Sequence, residues 1–206
     1  MNTTALAATS TLSIRTVTAA DAAAMSAFLM GLDAGSRRLR FHGALNPCSE
    51  ALLRQLTEVD GWQHAAWVAV VRTDGGGEQV VGEARCVRDG TGGAEIALSV
   101  ATAWRGRGVA DRLLATLTQH AQQAGVRHLV ADVMNENGRM QAFMRRHGYA
   151  EALGEDTWFE ADAGGSLCLV RTLAPQRRES RQSPLLGVAG WVRRGVARLV
   201  SRPVPA

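Results

Sequence analysis

The segment 104–110 holds the residues whose types and spacing best fit a chemical task. Two glycines, Gly106 and Gly108, alternate there with two arginines, Arg105 and Arg107, between a strand-like run and a helical pattern. Glycine lets a ligand come close to the backbone, and the free N–H groups at the start of a helix favour an anion. Because the arginines add positive charge, we expect this loop to bind a diphosphate.

Two other phosphate-binding motifs fit the loop poorly. Asp111 stands where the third glycine of a dinucleotide-binding Gly-x-Gly-x-x-Gly motif would be. A Walker-type loop needs a lysine, and all 23 basic residues of the chain are arginines. An ordinary tight turn is the remaining alternative, and the position between a strand and a helix favours binding over it.

The hydrophobic pattern places this loop within an α/β chain. Alternating or apolar runs predict strands at residues 12–16, 67–71, 80–87, 94–100, 128–133, 158–160 and 166–173. Helical spacing predicts helices over residues 18–32, 46–59, 109–124 and 139–147, the second of them capped by Asn46 ahead of Pro47. The basic segment 36–43 is assigned no regular structure. The order is β-α-α-β-β-β-α-β-α-β-β, a mixed sheet in which the strands flanking helix 109–124 run parallel.

Length and composition indicate one globular domain. A chain of 206 residues, 46% hydrophobic and 20% charged, is sufficient for a single full core. We expect a flexible N-terminus at residues 1–11, one domain at 12–173, and a basic linker with an amphipathic helix at 174–206. No run reaches the roughly 20 apolar residues of a membrane span, and the N-terminus lacks signal-peptide features, so we expect a cytoplasmic protein.

The cysteines and histidines predict no metal site. Cys48, Cys86 and Cys168 are odd in number and far apart, without a Cys-x-x-Cys pair, and the five histidines lack metal-ligand spacing. Unpaired cysteines also fit a reducing compartment.

The positive charge of the chain is concentrated in its tail. Residues 174–206 carry a net charge of about +6 and the first 173 residues about −2, out of +4 for the whole chain. The body therefore does not resemble a basic nucleic-acid platform. Residues 185–200 place an apolar stripe opposite arginines, which suits docking on the domain, on a second subunit, or on an anionic membrane. Both a monomer and a homodimer are compatible with this pattern.

The phosphate loop and a later segment resemble the GCN5-related N-acetyltransferase (GNAT) superfamily. Residues 105–110 match its (Gln/Arg)-x-x-Gly-x-(Gly/Ala) pyrophosphate loop, and residues 137–149 are similar to its Asn-capped helix that ends in Gly-aromatic. The element order is also typical, and the resemblance covers roughly residues 12–173. Segments 36–41, 56–62 and 137–149 further resemble the acetyltransferase domain of bacterial Pat-type protein lysine acetyltransferases.

The resemblance implies an acetyl-CoA-dependent N-acetyltransferase with a splayed pair of parallel strands. The acceptor would be an amine, either a protein lysine or a small molecule. The pantetheine arm would pair with the strand backbone, the thioester carbonyl would meet an N–H near Val100, and Asn137 would reach the arm. The expected binding residues are Leu98, Ser99, Val100, Arg105, Gly106, Arg107, Gly108, Val109, Ala110 and Asn137.

Glu95 is the expected general base, since its position matches the glutamate with this role in the Pat-like group. It lies within an otherwise apolar strand, where a partly desolvated carboxylate can take the amine proton directly or through water. The alternative is a half-exposed strand position that points to solvent.

The expected general acid is missing. Met144 stands where many family members carry a tyrosine, and Tyr149 occupies the Gly-aromatic position, where core packing is favoured. A non-catalytic acyl-CoA-binding sensor is therefore the alternative function. Arg139, Arg145 and Arg146 are interpreted as a solvated helix face, with Arg139 close enough to contribute to phosphate binding. Phe41 and His42 fit either the acceptor site or ordinary core and surface roles.

Overall fold

A single mixed sheet carries the candidate site. The computed structural model describes residues 11–43, 49–73, 75–152 and 165–174. Within these ranges the sheet has seven strands, in the order β1-β2-β3-β4-β5-β7-β6. The strands are β1 (Leu12–Thr16), β2 (His64–Arg72), β3 (Glu78–Arg88), β4 (Gly93–Val100), β5 (His128–Met134), β6 (Ala150–Glu151) and β7 (Ser166–Thr172). The helices are α1 (Ala22–Gly31), α2 (Ala34–Phe41), α3 (Glu50–Thr57), α4 (Val109–Gln123) and α5 (Gly138–Arg146).

The predicted mixed α/β architecture and the parallel crossover are confirmed. Strands β1 to β4 form an antiparallel series, whereas β4 and β5, on either side of α4, pair in parallel. That pairing extends only from residues 93–95 to residues 128–130. Beyond it β4 continues to Val100 and β5 to Met134 without pairing to each other. The two strands therefore splay apart at their carboxyl ends, and a gap opens in the sheet.

One helix was missing from the expected order. Segment 36–43, which was assigned no regular structure, belongs largely to α2. Asp33 begins this helix by accepting a hydrogen bond from the Ser36 N–H at 2.8 Å, and His42 ends it in the left-handed conformation at φ 52°. Gly35 and the arginines obscured the helix in the sequence, because they leave it few apolar residues and a low helix propensity at Gly35.

The start of the second predicted helix also differs from expectation. Helix α3 has Ser49 as its N-cap, whose Oγ accepts from the Leu52 N–H at 3.1 Å, while Asn46 and Pro47 lie outside the described residues. The predicted strand 158–160 also lies outside them. Within the described part, β7 pairs with β5 and with the short strand β6, which was not predicted.

The two faces of the sheet have different cores. On β4, Ala94, Ile96, Leu98 and Val100 pack into the hydrophobic cluster formed with α4 and α5. Because side chains alternate along a strand, Glu95, Ala97 and Ser99 face the other side, which α1, α2 and α3 cover. The polar residues of β4 therefore point toward α2. None of the described helices is long and apolar enough to span a membrane.

Candidate active site

The gap between β4 and β5 opens into a cavity of about 730 Å³. Its wall is formed by α2, β4, the loop before α4, β5 and α5. This volume lies within the range of small-molecule binding sites. The carboxyl ends of β4 and β5 thus border one cavity.

The glycine loop forms one end of this cavity. Gly106 and Gly108 line it with φ angles of 73° and 74°, and a Cβ built on either residue would meet no atom within 4 Å. The space that a side chain would fill is therefore open to a ligand. The Arg112 N–H bonds to the Gly108 carbonyl at 3.1 Å, so the N–H groups just before it have no acceptor within α4. This arrangement is typical of an anion site at a helix N-terminus.

The two arginines of the loop have different partners. Arg105 lines the cavity, and it donates to the Val100 carbonyl at 3.2 Å and to the Ser36 Oγ at 2.7 Å. Arg107 is not among the lining residues, and its guanidinium carbon lies 4.9 Å from the centre of the Trp104 ring. Arg105 therefore ties the loop to α2, while the side chain of Arg107 points elsewhere.

The middle of the cavity is bordered by strand backbone that lacks a partner strand. Leu98, Ser99 and Val100 line it and lie beyond the last residue of β4 that pairs with β5. In a β-strand, alternate N–H and C=O groups point to each side, so part of this backbone faces the gap. A ligand with amide groups can pair with it as a further strand would.

Helix α5 supplies the opposite wall. Asn137 caps it, with Oδ1 accepting from the Met140 N–H at 3.2 Å, so a ligand would meet the amide nitrogen of Asn137. Met144 lines the cavity and is buried, whereas the buried Tyr149 packs in the core and is not a lining residue. Of the three helix arginines, Arg139 and Arg146 line the cavity.

The far end of the cavity is acidic. Glu95 lines it with only 6% of its surface exposed, so it does not point to open solvent. Asp132 and His42 lie nearby, with His42 Nδ1 3.6 Å from Asp132 Oδ2. Burial, together with the charges of Asp132 and Glu95, raises the pKa of the Cys168 thiol. Phe41, in contrast to His42, is buried in the core.

A buried charged group, which we call the Arg40 cluster (Arg40, His64, Glu83 and Arg85), lies on the same face. Arg40 Nε donates to Glu83 Oε1 at 2.8 Å, and Arg85 Nε donates to Glu83 Oε2 at 3.0 Å. Burial opposes ionisation of Glu83, yet the two arginines hold its pKa at about 2. Ser99 Oγ lies 3.3 Å from Glu83 Oε1, and both Ser99 and Arg40 line the cavity.

Reasoning from the sequence missed the Arg40 cluster and Asp132. Their partners are distant in sequence, so no local pattern marks them. Asp33 was the one local signal for α2, because aspartate is a common N-cap residue whose side chain accepts a hydrogen bond from the N–H three residues later, here that of Ser36. Within the described ranges, no group of three or more histidine, cysteine, aspartate or glutamate side chains could hold a metal ion.

Comparisons with known proteins agree with this geometry. The acetyltransferase (GNAT) family model matches residues 38–149. Acetyltransferase Pat from Mycolicibacterium smegmatis is 36% identical over 111 residues, which are 53% of this chain and 32% of that protein. Acetyltransferase PA5475 from Pseudomonas aeruginosa is 33% identical over 104 residues, 50% of this chain and 55% of that protein.

A solved structure extends the likeness to most of the chain. The GNAT domain of S. lividans PAT superposes with a TM-score of 0.67 at 25% identity, over 78% of this chain and 89% of that one. The chain spans about a third to a half of the length of the curated relatives that it matches, at 32% and 55%. The family match includes the glycine loop, Glu95 and the α5 wall, and on this evidence the chain belongs to the acetyltransferase (GNAT) family.

Proposed function

We propose that the protein is an acetyl-CoA-dependent N-acetyltransferase that moves the acetyl group directly to an amine in a ternary complex. One observation carries this proposal. The splayed strands connect a glycine loop at a helix N-terminus, at one end of a cavity, to a buried carboxylate, Glu95, at the other. An elongated donor with a diphosphate, an amide-containing arm and a reactive end fits that order.

The residues present fit the diphosphate, the pantetheine arm and the thioester of acetyl-CoA. The backbone of residues 105–110 would hold the diphosphate, since the loop leaves open space above its glycines. Leu98, Ser99 and Val100 would pair with the pantetheine amides. Bound acetyl-CoA would supply the acetyl group as an activated thioester, and an N–H near Val100 would stabilise negative charge on its carbonyl oxygen.

Glu95 is the proposed general base. An amine must be neutral to attack a thioester, so a group near the reactive end has to remove its proton. Glu95 is buried in the cavity wall and close to Asp132, and these carboxylates also attract a cationic amine. The proton is taken directly or through a water molecule.

The departing thiolate has no evident acid among the cavity-lining residues on α5. Met144 lines the cavity where many family members have tyrosine, and a thioether cannot donate a proton. Tyr149, the single tyrosine of the chain, is buried in the core, and burial raises its pKa. We propose that the thiolate leaves unassisted or takes its proton from water.

The proposed acceptor is a protein lysine or a small amine. The likeness to Pat proteins supports the first class, and the acidic end of the cavity is compatible with both. A thiol-release assay with acetyl-CoA across a panel of amines, amino acids and proteins tests the proposal. Release that depends on an amine would support it, while acetyl-CoA binding without release from any acceptor would favour the sensor function instead.

We also propose the division into residues 1–11, 12–173 and 174–206, and a cytoplasmic monomer or homodimer. The sequence pattern supports this proposal, and residues 1–10 and 175–206 lie outside the described residues. The apolar stripe of residues 185–200 would contact the domain, a second subunit or an anionic membrane. Vesicle co-sedimentation tests the membrane contact. If chains with and without residues 174–206 bind anionic vesicles equally, the tail does not bind the membrane.

A further inference from the structure

Arg40 on α2 is a buried arginine in the wall of the cavity. Only 4% of its side chain is exposed, although it is a lining residue. Its Nε bonds to Glu83 Oε1 at 2.8 Å, and its Nη2 lies 2.7 Å from the same oxygen. Its Nη1 is also buried, and it has no hydrogen-bond partner among the residues that the structure describes. A donor of this kind costs free energy unless a ligand satisfies it.

The charges around Arg40 do not balance. Glu83 is shared, because Arg85 donates to its other oxygen from Nε at 3.0 Å and from Nη2 at 2.5 Å. Glu83 is ionised, with its pKa at about 2, while burial and the Arg85 charge lower the pKa of His64 to about 4. At pH 7 two arginines therefore face one carboxylate, and the Arg40 cluster has a net charge of +1. An unbalanced buried charge is unfavourable without a further anion.

The location of the cluster fits a substrate group. Ser99 contacts Glu83 at 3.3 Å, so the cluster lies at the level of Ser99, and Glu95 is four residues away, roughly 13 Å along β4. Arg40 therefore stands between the phosphate loop and Glu95. A guanidinium with a free nitrogen is well shaped for a carboxylate, which it binds with strong charge-assisted hydrogen bonds.

We propose that Arg40 forms a carboxylate subsite on the α2 side of the cavity. The carboxylate belongs either to the acyl group of the donor, as in a dicarboxylic acyl-CoA, or to the amine acceptor, as in an α-amino acid. Arg40 then determines specificity and does not take part in proton transfer. This inference rests on the proposed function, since that function supplies the two substrates that meet in the cavity.

Matched ligand pairs test the subsite on the full chain by calorimetry. Succinyl-CoA and butyryl-CoA differ in the terminal carboxylate of the acyl group, and L-lysine and cadaverine, titrated in the presence of CoA, differ in the α-carboxylate. We expect the wild type to bind the carboxylate-bearing member of at least one pair roughly tenfold or more tightly. The pair that shows this preference identifies the source of the carboxylate.

Three variants assign that preference to Arg40. Arg40→Gln leaves the neutral Glu83–Arg85 pair intact and should abolish the preference. Arg40→Lys should retain part of it, because lysine keeps the positive charge but lacks the paired N–H donors of the guanidinium. Arg54→Gln is the matched control, because Arg54 is an exposed arginine on α3 that pairs with Glu50. It should bind all four ligands as the wild type does.

Two results would overturn the proposal. The first is that the wild type binds both members of each ligand pair with equal affinity, a result that does not depend on whether any variant folds. The other is a preference that survives in Arg40→Gln. A wild type that binds no acyl-CoA would contradict the proposed function instead, and the lysine–cadaverine pair would still test Arg40.

Discussion

At the scale of single residues, Glu95 and Gly108 have separate proposed roles that experiment can distinguish. Glu95 lines the cavity at the proposed acceptor end, and Gly108 lines it at the proposed diphosphate end. A change at one end should therefore leave the other function intact. This separation distinguishes a catalytic residue from a binding residue.

Replacing Glu95 with glutamine should slow turnover while leaving donor binding unchanged. Glutamine has nearly the shape of glutamate but cannot accept the amine proton. We expect the thiol-release rate to fall about a hundredfold or more, the usual contribution of a general base. Calorimetry should give the wild-type affinity for acetyl-CoA, and an unchanged rate in this variant would rule out the role of Glu95 as base.

Replacing Gly108 with valine should abolish acetyl-CoA binding. The new side chain would project into the open space above the loop, where the diphosphate is expected. A β-branched residue at φ 74° is also strained, so backbone strain has to be separated from blocked binding.

Gly90→Val provides that separation. Gly90 has φ 79°, a Cβ there would also meet nothing within 4 Å, and it lies in the β3–β4 turn away from the cavity. This control should lose stability to a similar extent and keep its affinity for acetyl-CoA. Wild-type affinity in the Gly108 variant would contradict the assignment of the diphosphate site.

Helix α2 is the element that contacts both the glycine loop and the far side of the gap between β4 and β5. At its start Asp33 contacts Thr102 at 3.2 Å, and Ser36 holds Arg105 at 2.7 Å. On the other side of the gap, Arg38 pairs with Glu136. The helix thus contacts both sides of the gap and forms one wall of the cavity.

Asp33→Ala should weaken acetyl-CoA binding although Asp33 is not a lining residue. The substitution removes the cap of α2 and the contact to Thr102, so α2 and the Arg105 side chain that it holds lose their fixed positions. We expect a several-fold rise in the Kd for acetyl-CoA, measured by calorimetry.

Ser49→Ala is the matched control for this helix cap. Ser49 caps α3 through the Leu52 N–H, and neither residue lines the cavity. Its loss should lower the melting temperature without changing the Kd for acetyl-CoA. Equal effects of the two cap variants on the Kd would show that α2 has no specific role.

The stability of the whole domain against acid should depend on His64. This residue accepts from Arg85 at 3.0 Å in its neutral form, and burial and the Arg85 charge lower its pKa to about 4. In the unfolded chain His64 takes up a proton near pH 6.5. Its contribution to the free energy of unfolding is therefore fully present above that pH and is lost as the pH falls toward 4. The loss amounts to about 3 kcal/mol over this window.

His64→Gln should flatten this dependence. Urea unfolding at pH 7 and at pH 4.5 should show a smaller difference for the variant than for the wild type. Burial also lowers the pKa of His120, so its contribution to the pH dependence remains in both proteins. The same pH difference in both would exclude His64 as the titrating group.

Much of the fold could be predicted from the sequence, and one wall of the site could not. Strand and helix periodicity, the cap at Asn137 and the glycine pair are local features, and they predicted the element order apart from α2 and β6, together with the glycine loop that lines the cavity. The local sequence of α2 gave only a weak signal, since Gly35 and its arginines leave this short helix few apolar residues.

By itself, the sequence determined the glycine loop, because strand, glycines and helix start lie within a few residues and their geometry follows from backbone preferences. Only the tertiary structure decided what faces that loop. Arg40 meets Glu83 across 43 positions, and Arg105 meets Ser36 across 69. Such contacts depend on where each helix packs on the sheet. Packing of the whole core sets the position of the helices, and no local residue spacing encodes that position.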